Sequence, residues 1–281
     1  MNWLELWWIF PAAITFSTIA IGSGISGALF FSPFFMLVVG LSPVQAVGAG
    51  LLTEVFGMGN GLRAYVSAKL VDYATARWLL IGAVPGVILG AVLADAIPST
   101  VLTGIFGVGL LILAGFLILV RTPEECEPGD RAVPLIDRKS RSKGTTVIRG
   151  KDGSVYEYPT CWRPPGVAMA AAGGVLTGMI SAGLPEISTT QLVVRCRVPP
   201  RVAIATSVFT IAVVATLGAA VHALNAEPVW NVVAWSIPGV LVGSTVGSKL
   251  GKYLPAKLME KGLGVVFALV GLLVLGLEFG K

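Results

Sequence analysis

Apolar residues in this chain come in long blocks. Stretches of about 20 residues, enough to cross about 30 Å of hydrocarbon as helix, recur along it. They fall at 46–64, 74–94, 100–120, 202–224, 229–249 and 261–279, with Gly and Ala as frequent as close membrane-helix packing requires. Two further apolar stretches have the wrong length for one crossing: 5–39 is too long, and 166–194 is long for one and short for two. Both are interrupted near their middles, by Gly22-Ser23-Gly24-Ile25-Ser26-Gly27 and by Ser181-Ala182-Gly183-Leu184-Pro185-Glu186. Each interruption predicts a broken or re-entrant pair of half-helices, because irregular backbone is tolerated at membrane depth only where protein surrounds it.

Between these blocks, basic residues mark sides. Arg63, Lys69 and Arg77 share one loop, Arg195, Arg197 and Arg201 another, and Lys249 to Lys261 a third. If 166–194 crosses once, the second of these loops faces outside, against the positive-inside tendency; if it enters and returns, all three face the cytoplasm. Both termini are then outside. The halves also match: GLSPVQAVGA at 40–49 aligns with RVPPRVAIAT at 197–206, and VPGV at 84–87 with IPGV at 237–240. A repeat of about 155 residues with opposite orientations in the two halves is the expected frame of a secondary transporter. The fold class expected is an all-α polytopic membrane protein, an inverted repeat of two helical halves. Residues 1–120 and 166–281 form the membrane repeats, and 121–165 a hydrophilic cytoplasmic insert.

Composition agrees. Hydrophobic residues make up 55% of the 281 and charged ones 12%, against about 25% charged in soluble chains. The insert carries nine basic and seven acidic residues between Arg121 and Arg163. Within it, Asp152-Gly153 flanked by alternating side chains signals a β-hairpin, although an isolated ribbon needs packing support and a solvated linker is the simpler expectation. The net charge of +5 lacks the dense basic run or aromatic platform of a nucleic-acid binder, so it reads as topology. Cys126, Cys161 and Cys196 show no metal spacing and no C-x-x-C, and are read as free thiols. No basic n-region precedes the first apolar segment, so no signal peptide is expected, and no motif of a hydrolase, metalloprotease or ATPase is present. No enzyme activity, cofactor or metal is expected.

The candidate chemistry sits at the breaks. Gly22, Ser23, Gly24, Ser26 and Gly27 supply unwound backbone whose amides can bind an anion, while tight packing also explains them. Glu186 lies in an apolar segment, where a carboxylate is costly unless protonated, paired or solvated. Two roles fit it: proton coupling or gating, and capping a half-helix. Ser181, Gly183, Ser188, Thr189 and Gln191 surround it with neutral hydrogen-bonding groups suited to a reversibly desolvated oxyanion. Glu54, beside Thr53, has a comparable setting, with a polar pair to Asn60 or Arg63 as the alternative. Thr206 and Ser207 offer hydroxyls from the second half, and His222 falls at a helix end where an interfacial role is expected.

The segments GSGISG at 22–27 followed by Pro33, LSPVQAVGAGLL at 41–52, IGAVPGVILGAVLA at 81–94, ATSVF at 205–209 and IPGVLVGSTVGSKL at 237–250 carry a resemblance. Together they resemble the TauE/SafE family of sulfite and organosulfur-anion exporters and permeases, over nearly the whole chain apart from 121–165. The resemblance implies transport of sulfite, thiosulfate, sulfoacetate or related sulfonates, coupled to an ion gradient, with both breaks near the pathway. Expected partners are a small anionic solute, a coupling ion such as a proton, the lipid bilayer and a second copy of the chain. An anion channel and a non-transporting membrane assembly component are the alternative functions.

Overall fold

The structure is a computed structural model that describes residues 3–23, 26–119, 144–225, 228–250 and 256–279. After a 3₁₀ turn at Trp3–Leu6, the helices are α1 (Ile9–Ser23), α2 (Ala28–Leu37), α3 (Pro43–Ser67), α4 (Tyr73–Ala96) and α5 (Ser99–Leu119). A hairpin of β1 (Thr145–Arg149) and β2 (Val155–Pro159) precedes α6 (Arg163–Ile180), α7 (Leu184–Thr190), a π-helical turn at Gln191–Arg195, α8 (Pro200–Asn225), α9 (Trp230–Leu250) and α10 (Ala256–Phe279). The six expected crossings are α3, α4, α5, α8, α9 and α10; α5 and α9 are shifted by one residue and the other four are longer than expected. Ser42 caps α3 by accepting from Gln45 N, and Asp72 caps α4 by accepting from the amides of Ala74 and Thr75.

Packing fixes the directions of these helices. Gly82, Gly86 and Gly90 of α4 lie against the backbone of Val167, Ala171 and Val175 of α6; Gly239, Gly243 and Gly247 of α9 lie against Phe10, Ile14 and Thr18 of α1. Numbers rise together in both sets, so each pair runs parallel. A Cβ at any of these glycines would run into a main-chain carbonyl, which is why two helices can touch here only through glycine. Every member of one set is 157 residues from its counterpart in the other. The repeat is therefore 157 residues: Gly86 corresponds to Gly243, and the match of Val84-Pro85-Gly86-Val87 to Ile237-Pro238-Gly239-Val240 is one helical turn out of register. Matching the prolines hid the glycine stripe, since a four-residue slip keeps a helix face.

Equivalent helices of the two halves meet antiparallel. Gly48 of α3 faces His222 of α8 and Leu51 faces Gly218, while Gly107 of α5 faces Leu275 of α10 and Ile118 faces Gly264. Copies antiparallel to each other are related by an axis in the membrane plane, so the repeat is inverted.

The broken segments are re-entrant. Phe16 of α1 stacks with Phe30 and meets Phe34 of α2 edge-on, and Gly27 lies near Ala20, so α2 folds back along α1. Gly173 of α6 contacts Leu184 and Arg195 reaches Trp162 O, so α7 and the π turn fold back along α6. At the second break Ser181 takes a left-handed conformation (φ 59°), and Gly183 has φ 116°, a backbone that favours glycine. With these directions, residues 63–77, the hairpin, 195–201 and the C-terminal end of α9 lie at one end of the bundle, the basic end. Residues 3–8, Asp95 and the C-terminal end of α8 lie at the other, where Asn225 donates to Asp95 and Trp235 Nε1 to Trp3 O.

By length and composition, the spans Trp3–Ile21, Tyr73–Ala96 and Pro200–Asn225 are apolar enough to cross a membrane. Ile112 and Leu269 are 70% and 63% exposed on the outside of the bundle, where only lipid makes such a surface favourable. The molecule is an all-α, multi-pass membrane protein.

The hairpin is docked rather than solvated. β1 and β2 pair antiparallel from Thr145 with Pro159 to Arg149 with Val155. Tyr158 is buried and its hydroxyl donates to Asp72 Oδ2 (2.9 Å), and Lys151 N donates to Ala68 O (3.0 Å). Residues 120–143, with Cys126, lie outside the described residues. The free-thiol reading is corrected for the other two cysteines: Cys161 and Cys196 form a disulfide between the end of the hairpin and the π turn. Their separation of 35 residues carried no pairing signal, because the return of α7 along α6 brings them together.

Candidate functional site

The two breaks meet halfway along α3. Glu54, 2% exposed, accepts from Ser26 Oγ at 2.5 Å, and Glu186 Oε1 lies 3.5 Å from Ser26 N. The other oxygen of Glu186 accepts from Gly183 N at 3.0 Å. This is the reach-back half of a capping box; Gly183 has no side chain to supply the other half. Glu186 thus both caps α7 and crosses to the opposite break. Ser26 is the hinge of the arrangement, since its hydroxyl and amide each address a carboxylate, one from each repeat.

Three buried hydroxyl oxygens on α3, α7 and α8 have no hydrogen-bond partner among the described residues, Thr53 Oγ1, Ser188 Oγ and Ser207 Oγ, and neither has Glu54 Oε2. Buried polar groups normally find partners, and of these Thr53 and Glu54 line one small cavity. The space is tight. A cavity of about 10 Å³, at most one water's worth, lies beside Thr53, Glu54, Gly27 and Gly57, and both carboxylates are buried.

The other expected site residues separate into two groups. Ser181 is a structural bridge, pairing with Ser32 Oγ at 2.8 Å and donating to Val47 O, with no direct part in the carboxylate contacts. Thr206 ties α8 to the start of α4, accepting from Asp72 N at 3.0 Å and donating to Val202 O. Gln191 is buried in the π turn at the basic end, and Thr189 is half-buried between it and Glu186. Gly22 and Ser23 close α1, and Gly24 lies outside the described residues. Asn60 does not pair with Glu54; its amide donates to Ser244 Oγ and Thr245 Oγ1 on α9. His222 is corrected from interfacial to buried, 3% exposed and bonded through Nε2 to Gly178 O at 2.9 Å, because Gly48 leaves it room.

Reading the sequence alone missed Thr177, whose Oγ1 accepts from Leu184 N at 3.1 Å and holds the start of α7, and Ser32. It also missed the Asp72–Tyr158 contact. Hydroxyls on a glycine-rich helix face were the available signal.

The sulfite exporter TauE/SafE family model matches residues 9–274. The chain belongs to that family. Among relatives of this TauE/SafE chain, it is 25% identical over 258 residues to the probable membrane transporter protein YunE of Bacillus subtilis (strain 168), covering 91% of this chain and 90% of that one. It is 24% identical over 266 residues to the probable membrane transporter protein MamO of Magnetospirillum gryphiswaldense, covering 89% of this chain but 41% of that protein. A third relative, the probable membrane transporter protein ORF9 of Sinorhizobium sp, is 27% identical over 101 residues, 36% of this chain and 39% of that one. No solved structure matches. Family, relatives and apolar helices together make this TauE/SafE chain a multi-pass membrane transporter protein.

Proposed function

We propose that the protein is a secondary transporter of small sulfur-containing oxyanions, sulfite, thiosulfate or a sulfonate, whose movement is linked to protons at Glu54 and Glu186. The observation that carries this reading is the meeting of both re-entrant breaks at Ser26, between one carboxylate from each repeat. An inverted repeat closing on a shared central site is the architecture of alternating access. Charge supplies the coupling: two carboxylates and an anion cannot share a dry, low-dielectric space as separate negative charges, so protons accompany the anion. Thr53, Ser188 and Ser207 then offer neutral donors that release the anion as readily as they bind it.

Purified protein in sealed liposomes tests this with a panel of labelled sulfite, thiosulfate and sulfonates. Saturable flux of at least one supports the reading. No flux of any by folded protein overturns it, and large single-channel currents without uphill movement would identify an anion channel instead.

A further inference from the structure

A second, larger cavity lies at the basic end, away from the carboxylate pair. Its volume is about 280 Å³, and it is walled by α4, the start of α6, the end of β2 and the π turn. A small oxyanion and several waters fit within it. Two guanidinium groups stand on its wall. Arg195 Nη2 donates to Trp162 O and lies 3.3 Å from Cys161 Sγ, and Arg163 sits over the Trp78 ring, 4.4 Å from its centroid. The disulfide joins the two sides that carry Arg195 and β2.

Two polar atoms on the wall have no partner among the described residues. Gln191 is 3% exposed, yet its Oε1 lacks a donor; Trp78 Nε1–H lacks an acceptor. Gln191 Oε1 and Arg195 Nη2 approach the same point: a Cβ on Gly166 would lie 3.7 Å from the first and 3.8 Å from the second. Asp72, the carboxylate in this wall, is already engaged by the amides of Ala74 and Thr75 and the hydroxyls of Thr75 and Tyr158. The wall therefore offers one unpaired donor, Trp78 Nε1–H, and one unpaired acceptor, Gln191 Oε1, beside the positive charge of the two arginines. A fully deprotonated anion satisfies only the donor, whereas an oxyanion that keeps one hydroxyl satisfies both.

We propose that this cavity is a vestibular binding site for a small, singly protonated oxyanion of the hydrogensulfite class, separate from the central carboxylates. It takes its substrate class from the transport reading above, and its position at the basic end makes it an antechamber to the pathway.

Equilibrium binding of sulfite, at a pH where the monoanion predominates, to the purified full-length protein tests the site, with sulfate as the fully deprotonated comparison. Arg195→Gln removes a donor, and Gly166→Val fills the convergence point without touching a charge. Loss of a charge-assisted hydrogen bond predicts affinity reduced about tenfold or more in Arg195→Gln. Gly166→Val is expected to show a similar loss with an unchanged unfolding temperature, and wild type to prefer hydrogensulfite to sulfate. Unchanged affinity in folded Gly166→Val, or equal binding of sulfate, overturns the proposal. The transport reading fails separately: stoichiometric binding that depends on Arg195 and Gly166, with no flux in liposomes, keeps the vestibule and removes the transporter. Flux by wild type with binding indifferent to both substitutions does the reverse.

Discussion

In the proposed mechanism the coupling falls to two carboxylates, Glu54 and Glu186, and both were visible in the sequence as charged residues inside apolar segments. What the sequence could not show is that Ser26 joins them, because hydrogen bonds spanning 28 and 160 residues depend on how both breaks fold back. Glu186→Gln keeps the shape of the cap and removes the titration. It is expected to stay folded and retain anion counterflow while losing pH-driven accumulation, read by flux with and without a gradient. Ser26→Ala removes a hydroxyl from a carboxylate, a loss of about 1–3 kcal/mol, measurable as a lowered unfolding temperature in detergent. Outside the membrane, burial and the nearby Asp72 carboxylate push the Tyr158 phenol above its ordinary 10.0. The folded state thus keeps a proton that the unfolded chain releases above about pH 10, so stability falls as pH rises beyond that point. Unfolding temperatures across this range should show the fall in wild type and lose this component in Tyr158→Phe.

At the scale of elements, helix positions were legible because hydrocarbon thickness sets their lengths. The contacts between helices were less so. The glycine stripe on α4 and its counterpart on α9 were present as residues, but the proline matches placed them a turn apart, and only the backbone contacts fix the 157-residue offset. The π turn left no sequence signal, since it depends on the fold-back of α7 and not on local propensity. Gly86→Val and its counterpart Gly243→Val are each expected to destabilise the bundle, by about 3 kcal/mol or more given that overpacking meets backbone rather than a movable side chain. Thermal unfolding in detergent checks this, and a mild effect at either position would break the symmetry argument.

For the whole molecule, the directions of the helices gather 63–77, 195–201 and the hairpin at one end. By the positive-inside tendency we propose that this end faces the cytoplasm. Single-cysteine labelling in a background lacking the native cysteines should leave positions 69 and 198 protected from impermeant reagents in intact cells, with position 97 accessible. Labelling of wild type should find Cys161 and Cys196 unreactive until a reductant is added, as their disulfide requires. The central claim is that an anion moves through this inverted pair of repeats together with protons. Its most direct test is the uptake of labelled sulfite into proteoliposomes under an imposed pH gradient with the electrical potential clamped. Transient accumulation above equilibrium, reversed when the gradient is reversed and absent in folded Glu186→Gln, is the predicted result. Flux that only equilibrates, with no response to the gradient, would contradict it.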